Sequence, residues 1–532
     1  MTNPKLLRPT AMWATLALLL ALTACDGGDG KDGSAGQDTN NASNNGGANN
    51  ASTNNGGVNN GGVNNADPNN ADPNNASTNN STVEQGLTYH KDVRPMLEQR
   101  CLQCHNGGGI APSVFDFRDP ATVVTFADLI MGSIEDLSMP PWQANEGCSD
   151  YKDDLSLSAD EIELVRGWIA DGKQLGDEAD YVAPQDLGTE IDNSAIERPA
   201  DIFAVPTGTY TAKQGVSDDY RCFVFDPGFT DVRHVQGYEV KPDNKALLHH
   251  LIIYTVPPEA EADEELARLE AEDDAAGYEC FGGARVPSNV AVAWAPGGGK
   301  TAFPANTGLR MEAGTKFVIQ MHYNLSEGGD GLDRSGVDLW LYPEGQRPAK
   351  EGIMAFIGNM PFQVPAAVDG RQAQNCNTVY ATAGRDGSTF AAQGIGEDEL
   401  RQDPSLLNQL GDSGCVTQDF YYDIGIPVTA HAIAPHMHLS GTHISAEVMP
   451  LQKNDEGAWA LPEQPQSTCM LKTDRWDFDW QRFYWFQEPQ RLPPAGVVRL
   501  TCRYNNTYDH PIHLGENSRD EMCLILLYLT PP

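Results

Sequence analysis

The apolar positions of this chain fall into four patterns. Residues 11–22 form a short unbroken apolar run behind a basic start at Lys5 and Arg8, whereas 26–83 are Asn/Gly/Ala-rich, with local repeats such as "NNGGVNNGGVNN" and "NNADPNNADPNN". Helical spacing then appears from Asp92 to Gln103 and again in "LSADEIELVRGWIADG", where Ser158 stands as N-cap and Glu161 at the capping-box position. Ile162, Val165 and Ile169 share a face there, and Gly172 is the stop. From about 200 onward helical periodicity is scarce, apart from the acidic stretch "PEAEADEELARLEAEDDAA". Short alternating runs bounded by Gly, Pro and Asn dominate instead. The pattern predicts a multidomain chain, a small all-α unit followed by all-β sandwich architecture.

Composition narrows the possible partners. The chain has 532 residues with 35 Lys+Arg against 74 Asp+Glu, a formal net charge of -39. Such a field repels nucleic acid, so no nucleic-acid partner is expected. Segment 26–83 lacks the apolar residues to build a core and is expected to be a disordered linker. As a random coil its 58 residues span roughly 40 Å.

The first 25 residues have the charge, apolar run and small-residue site of an export signal. The run is too short for a membrane span, which needs roughly 20 apolar residues. "LTAC" (22–25) resembles the lipobox of bacterial lipoproteins, in which the cysteine, here Cys25, is lipidated and becomes the mature N-terminus. The alternative is an ordinary cleaved signal with a chance cysteine. The lipoprotein reading places the chain in a bacterial cell envelope, exported and held to a membrane by its lipid.

"RCLQCHNGG" contains Cys101, Cys104 and His105 in the C-x-x-C-H pattern of covalent haem attachment: two thiols form thioethers to the porphyrin and the adjacent histidine reaches the iron. A disulfide or zinc half-site is the competing reading, but no second C-x-x-C follows. Further on, "DLSMPPWQAN" offers Met139 as sixth ligand, with Pro140 and Pro141 enforcing extended backbone around it. Segment 84–178 resembles a class I cytochrome c domain, which implies His105 and Met139 as the axial pair of one haem c. A linker, 179–204, follows.

Five histidines on the β runs are candidate ligands. In "KALLHHLIIYTV", His249 and His250 are neighbours, and neighbours on an ideal strand point to opposite faces, so two ligands for one ion need a bulge, a twisted edge or a strand end. In "TKFVIQMHYNLS", Phe317, Ile319 and Met321 fall on one face and His322 on the other, away from the expected core. In "APHMHLSGTH", His436 and His438 share a face while Met437 projects to the opposite one. Each has a plain structural reading as hydrogen-bonded histidine.

In combination, and in this order along the chain, "HH", "AWAPGG" after Cys280, "VIQMHYN", "PHMH" and "RDEMCLILLY" resemble the copper type II ascorbate-dependent monooxygenases, the family of the peptidylglycine alpha-hydroxylating and dopamine beta-monooxygenases. The resemblance implies two jelly-roll sandwiches, 205–364 and 365–532, that face each other across a solvent-filled cleft. One copper, the electron-transfer site, would be held by His249, His250 and His322. The other, where oxygen is activated, would be held by His436, His438 and Met522. It also implies a Cys502–Cys523 disulfide beside Met522. Cys222–Cys280 and Cys376–Cys415 are weaker expectations, and Cys148 and Cys469 have no assigned partner.

Hydroxylating a carbon with O2 needs two electrons beyond those of the C–H bond, and each copper stores one. Imidazole suits both copper oxidation states, and a thioether favours Cu(I). The expected reaction is therefore copper-dependent hydroxylation of an unidentified small organic molecule. Electrons come from ascorbate or a redox partner, an external donor whose electrons would pass through the fused haem. A tyrosine four residues after the methionine ligand and an arginine two before the H-x-H hold a substrate carboxylate in the peptide enzyme. Leu526 and Ala434 stand at those positions here, which puts a glycine-extended peptide substrate in doubt. The competing readings are an electron-transfer or copper-handling protein without hydroxylase activity, and a binding module with empty metal sites.

Overall fold

The computed structural model describes residues 86–107, 111–184, 196–296, 298–325, 331–358, 363–364, 379–382, 391–392, 415–455 and 457–532. The export signal with Cys25, the linker 26–83 and Cys376 lie outside the described residues, as does the middle of the linker 179–204.

The helical part is built from three helices. A helical turn, Tyr89–Val93, leads into Arg94–Arg100, with Cys101 at its C-terminal end. Pro120–Glu135, which the apolar spacing did not predict, starts where Asp119 caps the Ala121 N–H and Pro120 occupies the first turn. Ala159–Ala170 starts at the expected Ser158–Glu161 capping box. Its buried side chains are Val165 and Trp168, with Ile162 and Ile169 only partly covered. The stripe is rotated toward Trp168, which packs with Tyr89, Leu97, Phe117 and Val123.

Three large sheets dominate the rest, beside three two-stranded pairs and one helix, Ala260–Ala271, in the acidic stretch. A five-stranded sheet runs in the order Tyr278–Glu279, Asp218–Phe225, Lys316–Asn324, Leu248–Val256, Asn289–Trp294. A six-stranded sheet centres on Cys415–Asp423, Ala495–Tyr504 and Gly441–Pro450. Between them lies a nine-stranded sheet common to both halves. Its joining strand, Lys350–Gly358, pairs in parallel with Thr307–Met311 through its first three residues and antiparallel with Leu524–Thr530 from Ile353 onward.

That shared sheet explains the nearly continuous apolar run "CLILLYL". On the paired strands Val428–His436 and Leu524–Thr530, Ala432 and Tyr528 enter the core of the first half, while Ile433 and Leu527 enter the core of the second. A strand covered on both faces has no polar side to show. The two sandwiches thus share a wall rather than standing apart.

The helical part is fastened to the second half. Trp142, Tyr151 and Leu155 join its core beside Tyr484 and Phe486, the Tyr151 hydroxyl donates to the Met470 carbonyl at 2.7 Å, and Cys148 is disulfide-bonded to Cys469 across 321 residues. The two cysteines without an expected partner are partners of each other. Cys222–Cys280 and Cys502–Cys523 are also bonded.

Candidate metal centre

The first histidine cluster is made by two adjacent strands, Leu248–Val256 and Lys316–Asn324, with Asp218 on the strand beyond. His322 pairs with His250 and Tyr323 pairs with Leu248, so His249 is an extra residue in the ladder. This bulge brings two sequence neighbours to one site, which an ideal strand forbids. Candidate ligand atoms of His249, His250 and His322 all lie within 4.8 Å of one another. His250 Nδ1 is 3.4 Å from His249 Nδ1 and 3.2 Å from His322 Nδ1. Two nitrogens each about 2.0–2.1 Å from one ion at a tetrahedral angle would be about 3.3–3.4 Å apart.

The protonation states suit a cation. His322 Nε2–H donates to Asp218 Oδ1 at 2.9 Å, which leaves the Nδ1 lone pair facing the cluster. Burial, and then the charge of neighbouring imidazoles, pushes His249 down to about 3 and His250 well below the ordinary histidine range. Burial also lowers His322, against the pull of Asp218. Ring nitrogens this close need a shared proton or a cation between them, and neutral rings favour the cation.

His322 is not away from the core, as the alternation implied: it is 1% exposed. Its strand is flanked on both sides, and its second face is covered by Tyr220, stacked on the imidazole at 4.2 Å, and by Asp218, which Ser518 of the second half also contacts.

The second cluster is assembled from a strand end and a distant loop. His436 closes the strand Val428–His436, His438 lies two residues beyond it, and their ring centroids are 5.1 Å apart. Met437 turns into the core of the second half, fully buried. His438 Nδ1–H donates to the Asp520 carbonyl at 3.2 Å. Gln481 Nε2–H donates to the Phe478 carbonyl at 2.8 Å, which aims Oε1 at His436 Nδ1, 2.5 Å away. Both rings therefore keep Nε2 free, and burial pushes His436 down to about 4 and His438 well below its ordinary range.

Met522 is 5% exposed and precedes Leu524, the register partner of His436. The Glu521 carboxylate accepts the N–H groups of His438 (3.0 Å), Ser440 (2.6 Å) and Met522 (3.3 Å), which ties the H-x-H loop to the methionine. The Cys502–Cys523 disulfide holds the next residue. The tie through Glu521 joins backbone groups, and no described contact sets the Met522 sulfur against the two rings. Two neutral imidazoles with a thioether would be a donor set that suits Cu(I).

The two clusters face each other directly. His250 and His436 ring centroids are 6.3 Å apart, and Phe478 stacks on His249 at 4.0 Å while lying 6.0 Å from His438. Phe478 thus bridges the two clusters, whose nearest described rings are already in edge contact range.

Cys101, Cys104 and His105 lie on one turn, with His105 N–H donating to the Cys101 carbonyl at 2.9 Å; both cysteines are free. His105 Nδ1–H donates to the Phe115 carbonyl at 3.1 Å. Its Nε2 is left as the ligand nitrogen, so this turn fits haem attachment. Met139 is half-buried in the loop after Pro120–Glu135. The ring contacts of His105 are with Phe117 at 4.2 Å and Phe115 at 6.4 Å, and Met139 is not brought against it among the described contacts.

Asp218, Phe478, Gln481 and Glu521 were not singled out in the sequence. Glu521 stands inside the quoted "RDEMC" and was within reach. Asp218 and Gln481 carry no local pattern, since their roles arise only from cross-strand and loop contacts. His443 and His431, which flank the H-x-H, bond to Asp474 and Thr530 instead of entering the cluster.

Residues 210–329 match the family model described as copper type II ascorbate-dependent monooxygenase, N-terminal domain, and 408–531 match the C-terminal domain of the same family. Both describe oxidoreductases that incorporate one oxygen atom, copper-dependent and ascorbate-using. Among solved structures the chain is similar to an allantoicase from Saccharomyces cerevisiae at 12% identity, TM-score 0.14, covering 61% of this chain and 82% of that one. It is also similar to the major capsid protein P2 of bacteriophage PM2 at 10% identity, TM-score 0.16, covering 62% and 97%. At these TM-scores neither carries an argument.

Proposed function

We propose that this copper-containing monooxygenase hydroxylates a C–H bond of a small apolar molecule beside His436, His438 and Met522. In this reading His249, His250 and His322 hold a second copper, and Cys101, Cys104, His105 and Met139 hold a haem c that relays electrons from an external donor. The observation that carries it is the three-imidazole cluster facing the His436–His438 pair, with the His250 and His436 rings 6.3 Å apart. Met522, tied to the H-x-H loop through Glu521, is read as the thioether that makes the second donor set unequal to the first. Copper bound at the two sets supplies the two electrons that O2 requires beyond those of the C–H bond, with Cu(I) favoured at the thioether.

The chain's own residues prepare that chemistry. Asp218, Gln481 and the Asp520 carbonyl each fix a tautomer, so the His322, His436 and His438 rings each present a lone pair inward. Phe478 packs between the clusters, stacked on His249 and edge-on to His438. Along the sheet face that carries His436, Ala434 is the register partner of Leu526, which in turn pairs with Phe356. No cation stands in that row to hold a carboxylate, which supports an apolar substrate. Cys25 would anchor the protein to a membrane of the bacterial envelope.

The test is O2 uptake by the copper-loaded, reduced protein across a panel of small apolar molecules. Stimulated uptake with a hydroxylated product supports the reading. Uptake unchanged across the panel would instead favour an electron-transfer or copper-handling protein.

A further inference from the structure

We propose that Ser518 is a positioning residue of the three-histidine cluster: its hydroxyl, carried by the second half, holds the Asp218 carboxylate against His322, so that this cluster is completed across the boundary between the halves. The inference rests on the copper reading of His249, His250 and His322 and adds to it a residue from outside their sheet.

Three observations carry it. First, Asp218 lies in the stretch that matches the N-terminal domain and Ser518 in the stretch that matches the C-terminal one. Ser518 Oγ–H nevertheless donates to Asp218 Oδ1, the same oxygen that accepts His322 Nε2–H at 2.9 Å. The Ser217 hydroxyl donates to Oδ2 at 2.7 Å. Donors on both oxygens fix the plane of the carboxylate, and hydroxyl-to-carboxylate bonds are among the strong ones. The Asp218 side chain is 1% exposed, so bulk water does not reach it to replace a missing donor.

Second, the same loop holds the other neighbour of His322. Tyr220 is stacked on that ring at 4.2 Å, and its hydroxyl donates to the carbonyl of Glu516, two residues before Ser518. Third, the loop is braced from within and from the second half. Asp520 N–H donates to the Asn517 carbonyl at 2.8 Å, and the Asp520 carboxylate accepts Asn517 N–H at 3.1 Å and Nδ2–H at 2.9 Å. Ser518, 2% exposed, sits inside that turn, and its carbonyl accepts the N–H of Leu439, next to His438, at 3.4 Å.

Ser518 therefore acts through Asp218 on His322. Without its hydroxyl, Asp218 is one donor short and its carboxylate is freer to turn about its terminal torsion. The His322 ring then loses the fixed partner that keeps Nδ1 turned toward His250, and metal affinity depends on such partners.

The test uses the full-length protein loaded with two equivalents of cuprous ion and titrated with a Cu(I) chelator, the copper that remains being examined by X-ray absorption. Ser518→Ala is expected to hold one of its two coppers about 10-fold more weakly than wild type, and the copper that stays is the one with a sulfur neighbour. Ser518→Thr, which keeps the hydroxyl, is expected to restore the wild-type titration, which a defect of packing alone would not do. A wild-type titration in Ser518→Ala, preferential loss of the sulfur-bound copper, or an equal loss in Ser518→Thr overturns the role of Ser518 and leaves the copper reading intact. Wild-type protein that takes up no copper, or takes up copper with no sulfur neighbour, overturns the copper reading itself, before any variant is compared.

Discussion

The two histidine clusters are built by different constructions. The three-histidine cluster is a product of one sheet: a central strand with His322, one neighbour whose bulge brings in His249 and His250, and the other neighbour, which supplies the Asp218 carboxylate. The proposed site of His436, His438 and Met522 draws on a strand end, a residue 84 positions after His438 and a loop, 475–482, that is also bonded to the helical part. A site held by a ladder depends on local register; a site held by loops depends on everything that fastens those loops.

Met522→Ala gives the largest expected effect. Copper content of the purified protein should fall by half and hydroxylation should be lost, with the three-histidine copper retained. Breaking the Cys148–Cys469 staple by the double change to serine should destabilise the protein by about 2–5 kcal/mol, measured by denaturant unfolding. If the comparison holds, it weakens copper binding at the loop-built cluster and leaves the ladder-built one alone. Equal weakening of both would mean the constructions are not independent.

Asp218→Ala removes the partner that fixes the His322 tautomer. It should weaken copper about 10–100-fold at the three-histidine cluster only, as titration with a copper chelator would show. The smallest effect is expected from Met437→Leu. That methionine is core, so the change should cost less than about 1.5 kcal/mol with copper content untouched. Loss of a copper in this variant would show that the wrong methionine has been assigned.

Legibility followed the range of the interactions. Strand alternation separated Met437 from its flanking histidines and called for a bulge, a twisted edge or a strand end at His249–His250, of which the structure has the bulge. The capping box at Ser158 was equally local. Met522 could be placed only through family resemblance, because a methionine in "EMCLILLYL" has the pattern of core. The helix Pro120–Glu135 went unpredicted although Asp119-Pro120 is a start signal. The Cys148–Cys469 bond, the shared nine-stranded sheet and the Gln481–His436 contact join residues tens to hundreds of positions apart. No window of sequence contains them.

The most direct test of the account is X-ray absorption at the copper edge of the reduced, copper-loaded protein. Two unequal donor sets predict a sulfur neighbour on half of the copper, absent in Met522→Ala and retained in His322→Ala. A sulfur neighbour that survives Met522→Ala, or a full copper complement with nitrogen and oxygen neighbours alone, would contradict it.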